Sequence, residues 1–280
     1  MSSAEETLWS TTWRGHVEQV LAVLRDHPEI NVNWTADHFQ WTSLHHACYY
    51  GHVEVVKLLL AHPAIDVNVK NCKEQTPLLL ACSAGRESVV QLLLKDPRVD
   101  VTHSDESGCT PLWKAACNGY WKVIELLIAS GRDLGDINQM TGKEPEGEER
   151  TALEIARERG QTEVIPLLER FMETPIQTRH ELRVQLGFAD ALAAELYAVL
   201  VFLCDELLQF KPASLASAVT SFNPAAVRFF AIAKRLPMEL QMVLCHVAVG
   251  SAKDSILSKD SEAAFKSLAR VLLLSSEEVF

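Results

Sequence analysis

A chain of 280 residues with a net charge of −11 has room for one to three domains, and its excess of carboxylates argues against nonspecific binding to nucleic acid or to anionic lipid. Hydrophobic residues make up 48% and charged residues 22% of the chain, the balance of an ordinary soluble globular protein. The seven cysteines form no C-x-x-C pair, and the opening MSSAEETLWS has neither a basic region nor an apolar run. The expectation is therefore a reduced, unsecreted chain in the cytoplasm, with the nucleus as the other compartment.

The first helices are expected over residues 5–33. The second of them begins at Gly15-His16-Val17-Glu18, runs through Val20, Val23 and Leu24, and ends at His27-Pro28. The first carries Trp9 and Trp13. Thr42 then opens TSLHHACYYGHVEVVKLLLAHPAID, which reads as a short helix, a glycine turn and a second helix ended by His62-Pro63. The same wording returns at Thr76 as TPLLLACSAGRESVVQLLLKDPRVD and at Thr110 as TPLWKAACNGYWKVIELLIASGRD. Each threonine can cap its helix with a hydroxyl, proline suits the first helical turn, and glycine takes the left-handed turn cheaply. Val89, Val90, Leu92, Leu93 and Leu94 form the apolar face of the third unit's second helix, which Pro97 stops.

Thr42, Thr76 and Thr110 are 34 residues apart, as are Gly51, Gly85 and Gly119. A fixed period of that size means a stacked array of repeats. A divergent copy, TALEIARERGQTEVIPLLERF, follows at Thr151, 41 residues after Thr110. The additional residues fall in Gln139–Arg150, an acidic stretch with Gly142, Pro145 and Gly147 that reads as an exposed loop.

The pattern T-P-L-x-x-A-x-x-x-G-x-x-x-V-V-x-L-L-L resembles the ankyrin repeat. His45 matches the family's histidine and is expected to be structural. The resemblance covers residues 5–171. It implies an all-α solenoid of about five helix-turn-helix units, with the connections Asn31–Trp41, Asp66–Gln75 and Asp100–Cys109 as projecting β-hairpin fingers. It also implies a non-enzymatic protein-interaction module or adaptor whose partner docks on finger tips and first helices. Carried onto this sequence, that surface comprises Trp13 and Arg14, then His38, Phe39, Trp41, Tyr49 and Tyr50, then Lys73 and Gln75 with Cys72, Ser83 and Ala84, and finally Glu106 and Asn118 with Ser107, Cys109 and Cys117. The second unit concentrates large aromatics, the residues that most often carry interface energy. Core packing of Trp41 with Trp9, Trp13 and Trp34 is the competing reading.

Past Phe171 the period stops. Residues 172–178 are expected as a linker and 179–280 as a helical C-terminal domain or cap. There Ile176–Leu186 ends at Gly187, Asp190–Phe210 is apolar on most sides, Asn223-Pro224 and Pro237 start helices, and a last helix spans Ser261–Leu274. The segment Leu236-Pro237-Met238-Glu239-Leu240-Gln241-Met242-Val243-Leu244 resembles the L-P-x-E-L opening of an F-box. That resemblance implies an alternative role as a ubiquitin-ligase substrate adaptor. An unrecognised catalytic C-terminal domain is the third possibility. The longest apolar window, Leu196–Cys204, is far shorter than the ~20 residues a bilayer requires.

No phosphate loop, G-x-G-x-x-G, G-x-S-x-G or H-E-x-x-H occurs in the chain. Cys48 and Cys82 share one repeat position and read as small core residues. Cys72 and Cys109 lie on neighbouring fingers, where a metal or redox pair is conceivable. His46 reads as a satisfied or surface histidine. No cofactor is implied, and the expected partner is a protein rather than nucleic acid or membrane.

Overall fold

The computed structural model describes residues 3–36, 38–143 and 147–188, together with Tyr197, Gln241, Met242, Leu244 and Cys245. The chain divides into two units, Met1–Arg179 and His180–Phe280.

The first unit is five helix pairs: α1 (Ala4–Arg14) with α2 (Val17–Asp26), α3 (Ser43–Tyr50) with α4 (Val53–Leu60), α5 (Pro77–Ser83) with α6 (Glu87–Leu94), α7 (Pro111–Asn118) with α8 (Trp121–Ala129), and α9 (Ala152–Glu158) with α10 (Val164–Glu173). The first helices of successive pairs stack as an inner layer, α1-α3-α5-α7-α9, and the second helices as an outer layer, α2-α4-α6-α8-α10. This is the all-α solenoid that the resemblance implies.

Local chemistry starts each inner helix. The hydroxyl of Thr42 accepts from His45 N–H, that of Thr76 from Leu79 N–H, that of Thr110 from Trp113 N–H and that of Thr151 from Glu154 N–H, at 3.2–3.4 Å. Each bond satisfies a donor that the first helical turn leaves open. Pro77 and Pro111 sit at the first turn, where no N–H is needed. Between helices, Gly85 has φ +66°, and a Cβ there would meet the Tyr120 ring at 2.7–3.0 Å. Gly51 is covered in the same way by the Arg86 side chain. These glycines serve the turn and the next unit's approach together.

The core repeats with the helices. Val55, Val89 and Val123 are fully buried at one register position, Val56, Val90 and Ile124 at the next, and Leu59, Leu93 and Leu127 one turn on. A unit of this kind has no closed core of its own, so its apolar faces are buried by its neighbours. Cys48 and Cys82 are fully buried, and burial pushes their thiols well above the ordinary range.

Polar ties run along the stack as well. His45 is fully buried and spans two units. Thr42 N–H donates to its Nδ1 (3.1 Å), which leaves the ring proton on Nε2 to donate to the Gln75 carbonyl (3.0 Å). Burial holds this histidine's pKa down at about 4, so it is neutral. On the outer side the Asn33 amide donates to Ala64 O and accepts from Asp66 N–H, and Asn68 repeats the pattern with Arg98 and Asp100.

The fingers depart from full hairpins. Among the described residues, strand pairing is confined to the bridge Thr35–Thr42 and to the antiparallel pair β1 (Thr141–Gly142) and β2 (Arg150–Thr151). β1 and β2 close the base of the acidic insertion. Its Arg150 is further held by Glu148 (2.7 Å) and Glu158 (3.2 Å).

The expected linker at 172–178 holds the end of α10, Thr174 and the first turn of α11 (Pro175–Gln185), and the division into two units falls within that helix. In the second unit Gly187 follows α11 with φ +72°. Tyr197, Gln241, Met242, Leu244 and Cys245 are helical, with Tyr197, Gln241 and Cys245 buried. The remaining expected helices, and the L-P-x-E-L wording at 236–240, lie outside the described residues.

Candidate interaction surface

The finger turns are built on one repeated device. Asn71 Oδ1 accepts from Lys73 N–H and Gln75 N–H, both at 2.9 Å, and Asn71 N–H donates to Gln75 O. Asp105, 34 residues on, does the same with Ser107 N–H, Cys109 N–H (both 3.0 Å) and Cys109 O. A side chain that imitates the backbone in this way fixes a turn without help from strands. Successive turns are then joined tip to tip: Cys72 N–H donates to Phe39 O (3.0 Å), Glu106 N–H to Lys73 O (3.2 Å) and Lys143 N–H to Ser107 O (3.0 Å). The result is a continuous strip beside the inner helices.

Two cavities lie along this strip. One of about 310 Å³ is lined by Phe39, Trp41, His46, Asn71, Cys72, Lys73 and Gln75. The other, of about 410 Å³, is lined by Tyr49, Lys73, Gln75, Ser83, Asp105, Glu106, Ser107, Trp113, Lys114, Cys117, Asn118 and Lys143. Lys73 and Gln75 border both.

At the first cavity an aromatic cluster surrounds His46. The Trp9 ring meets His46 edge-on at 4.7 Å, Trp41 lies at 5.0 Å, and Tyr50 stacks at 6.2 Å. Tyr49 packs against both Trp41 (5.3 Å) and Tyr50 (5.2 Å). His46 is buried, which corrects the surface placement considered for it. Trp9 is the residue that fills the seam between the first two units: its indole N–H donates to Trp41 O (2.9 Å). Trp13 (44% exposed), Phe39 (48%), Tyr49 (36%) and Tyr50 (41%) face outward. Trp41 is half-buried, one side against His46 and Tyr49 and another on the cavity.

The second cavity is more polar. Lys114 Nζ reaches Asp105 Oδ2 at 3.0 Å and lies 5.5 Å from the centre of the Trp113 ring. Burial is the largest single influence and opposes its charge, but the hydrogen bond it donates to Asp105, together with its electrostatic interactions with Cys109 and Asp105, outweighs burial and the ammonium's pKa is raised. The Trp113 indole N–H donates to Arg150 O (2.8 Å), tying the base of the insertion to α7.

Of the residues expected on the surface, Phe39, Trp41, Lys73 and Gln75 meet at the first cavity, and Tyr49, Glu106 and Asn118 join Lys73 and Gln75 at the second. Trp13 and Tyr50 flank the aromatic cluster without lining either cavity. Arg14 is exposed at the end of α1, and His38 is exposed with its ring 4.2 Å from that of Phe39. Cys109 departs from its expected place: it is buried, its thiol directed at Lys143 O (3.5 Å), and burial pushes its pKa up to about 11. Cys72 is exposed. Among the described residues no cluster of three His, Cys, Asp or Glu side chains could hold a metal ion, and no helix is long and apolar enough to cross a membrane.

The sequence reading missed Asn71, Trp113, Lys114 and Lys143. Asn71 and Asp105 were detectable as polar turn formers one period apart. Lys143 lies inside the out-of-period stretch, where no repeat position predicts its place.

Comparison with known families gives a match to the model for ankyrin repeats, in three copies, over residues 7–71 and 65–140. No curated protein matches the chain.

Proposed function

Residues 7–140 make this chain an ankyrin-repeat protein, a protein-interaction scaffold, and we propose that it binds a protein partner on the strip formed by its finger turns and inner helices, centred on the second unit. The observation that carries this reading is the outward-facing set Trp13, Phe39, Tyr49 and Tyr50 about a cavity walled by Phe39 and Trp41. Soluble proteins rarely leave several large aromatics exposed together unless something covers them. Aromatic side chains bury large areas at low entropic cost, so a few can dominate an interface. Arg14, His38, Lys73, Gln75, Glu106 and Asn118 form the polar margin of the same surface, as an interface rim requires.

Affinity isolation from a native lysate, read by mass spectrometry, tests the reading when wild type is compared with Phe39→Ala and Tyr49→Ala. The expected result is a protein that wild type recovers and both variants lose, at unchanged thermal midpoints. Equal recovery by all three would refute the placement. Recovery of cullin-ligase subunits would support the adaptor role that the Leu236–Leu244 wording implies.

A further inference from the structure

The chain's net charge is −11, but its carboxylates are unevenly placed. The outer helices α2, α4, α6 and α8 carry five carboxylates, Glu18, Asp26, Glu54, Glu87 and Glu125, against three cations, Arg25, Lys57 and Lys122. The inner helices α3, α5 and α7 carry no carboxylate, and their one ammonium is Lys114. Lys114 is already neutralised by buried Asp105. Lys73 borders both cavities and Lys143 the second, and both are exposed. Among the described residues neither has a carboxylate within ion-pair distance. The neighbouring Glu74 is turned to Lys70 (3.9 Å), leaving Glu106 as the exposed carboxylate of the second cavity. Both lysines sit on backbone that the tip-to-tip hydrogen bonds hold in place.

Resting on the reading that this strip docks a partner, we infer that the partner presents an acidic peptide segment. One large apolar side chain enters the cavity between Phe39, Trp41 and His46, and carboxylates a few residues along the segment lie over Lys73 and Lys143. Two exposed ammonium groups on a net-acidic protein repel basic segments locally and attract acidic ones, which sets specificity more than raw affinity.

The test is selection of a displayed library of random peptides, about 12 residues long so that one peptide can span both cavities, on the full chain. Enriched peptides should combine a Trp, Phe, Leu or Met with two or more Asp or Glu within the next few residues. Their affinity should fall roughly tenfold in Lys73→Glu/Lys143→Glu, and also as salt is raised from about 50 to about 300 mM. Phe39→Ala, at an exposed turn, should weaken the same peptides. Enrichment of basic or neutral peptides that remain sensitive to Phe39→Ala would overturn the acidic partner and leave the docking surface standing. Peptides insensitive to both variants, or no enrichment, would overturn both.

Discussion

His45→Gln removes a buried titratable side chain that joins the second unit to the third. In the folded chain its Nδ1 accepts from Thr42 N–H and its Nε2–H donates to Gln75 O, and the first of these bonds needs the neutral ring. The histidine's ordinary pKa of 6.5 is lowered to about 4 by burial. A group whose folded pKa is depressed contributes its stability above the unfolded value and loses it as the pH falls through the folded one. The unfolded chain therefore binds a proton at His45 between pH 6.5 and about 4 that the folded chain refuses. From the two pKa values, wild type should lose ~2–3 kcal/mol through this residue between pH 7.5 and 4.5. Glutamine cannot titrate and replaces one of the two bonds at best, so the variant should be less stable by ~1–3 kcal/mol at pH 7.5. The gap between wild type and variant should then close as the pH is lowered. Urea unfolding followed by circular dichroism at half-unit pH steps measures both curves, and subtracting them cancels the other titrating groups. A gap that stays constant from pH 7.5 to 4.5 would mean His45 titrates alike in both states, and the buried-neutral argument would be wrong.

Three other perturbations have definite expected outcomes. Leu93→Ala empties a fully buried position in the middle of the outer layer and should cost ~2–5 kcal/mol in chemical denaturation. Gly85→Val puts a β-branched residue at φ +66° with its Cβ against the Tyr120 ring; it should destabilise by at least ~1–3 kcal/mol, and the loss should shrink in Gly85→Val/Tyr120→Ala, where the strain of the turn remains but the clash does not. Trp113→Phe leaves Arg150 O without its indole donor, at a cost of ~1 kcal/mol. Amide exchange at residues 147–151 should quicken in that variant while exchange in α4 and α6 stays unchanged.

The array was legible in the sequence because its rules are local. A threonine three residues before the N–H it caps, a proline where no donor is needed and a glycine at positive φ act within one turn of chain, and the 34-residue spacing repeats them. Helical spacing put Val89, Val90, Leu92, Leu93 and Leu94 on one apolar face; the stack buries Val89, Val90 and Leu93 fully and leaves Leu92 and Leu94 half-buried. The surface was legible only as a list of positions, because its chemistry depends on residues one or two periods apart. Neither spacing nor composition distinguishes Trp9, which fills the seam between two units, from Trp13, which faces outward one helical turn later. That choice is made by where α3 lies against α1. Cys109 was misplaced for the same reason, since β1 at the base of the insertion covers it, and a neighbouring unit's Trp9 decides against the surface alternative for His46. Lys143, inside the insertion, is held at the second cavity where its N–H donates to Ser107 O. Position along a repeat decides which face a side chain starts from; whether that face is buried, lined with charge or left open is decided by the unit stacked against it.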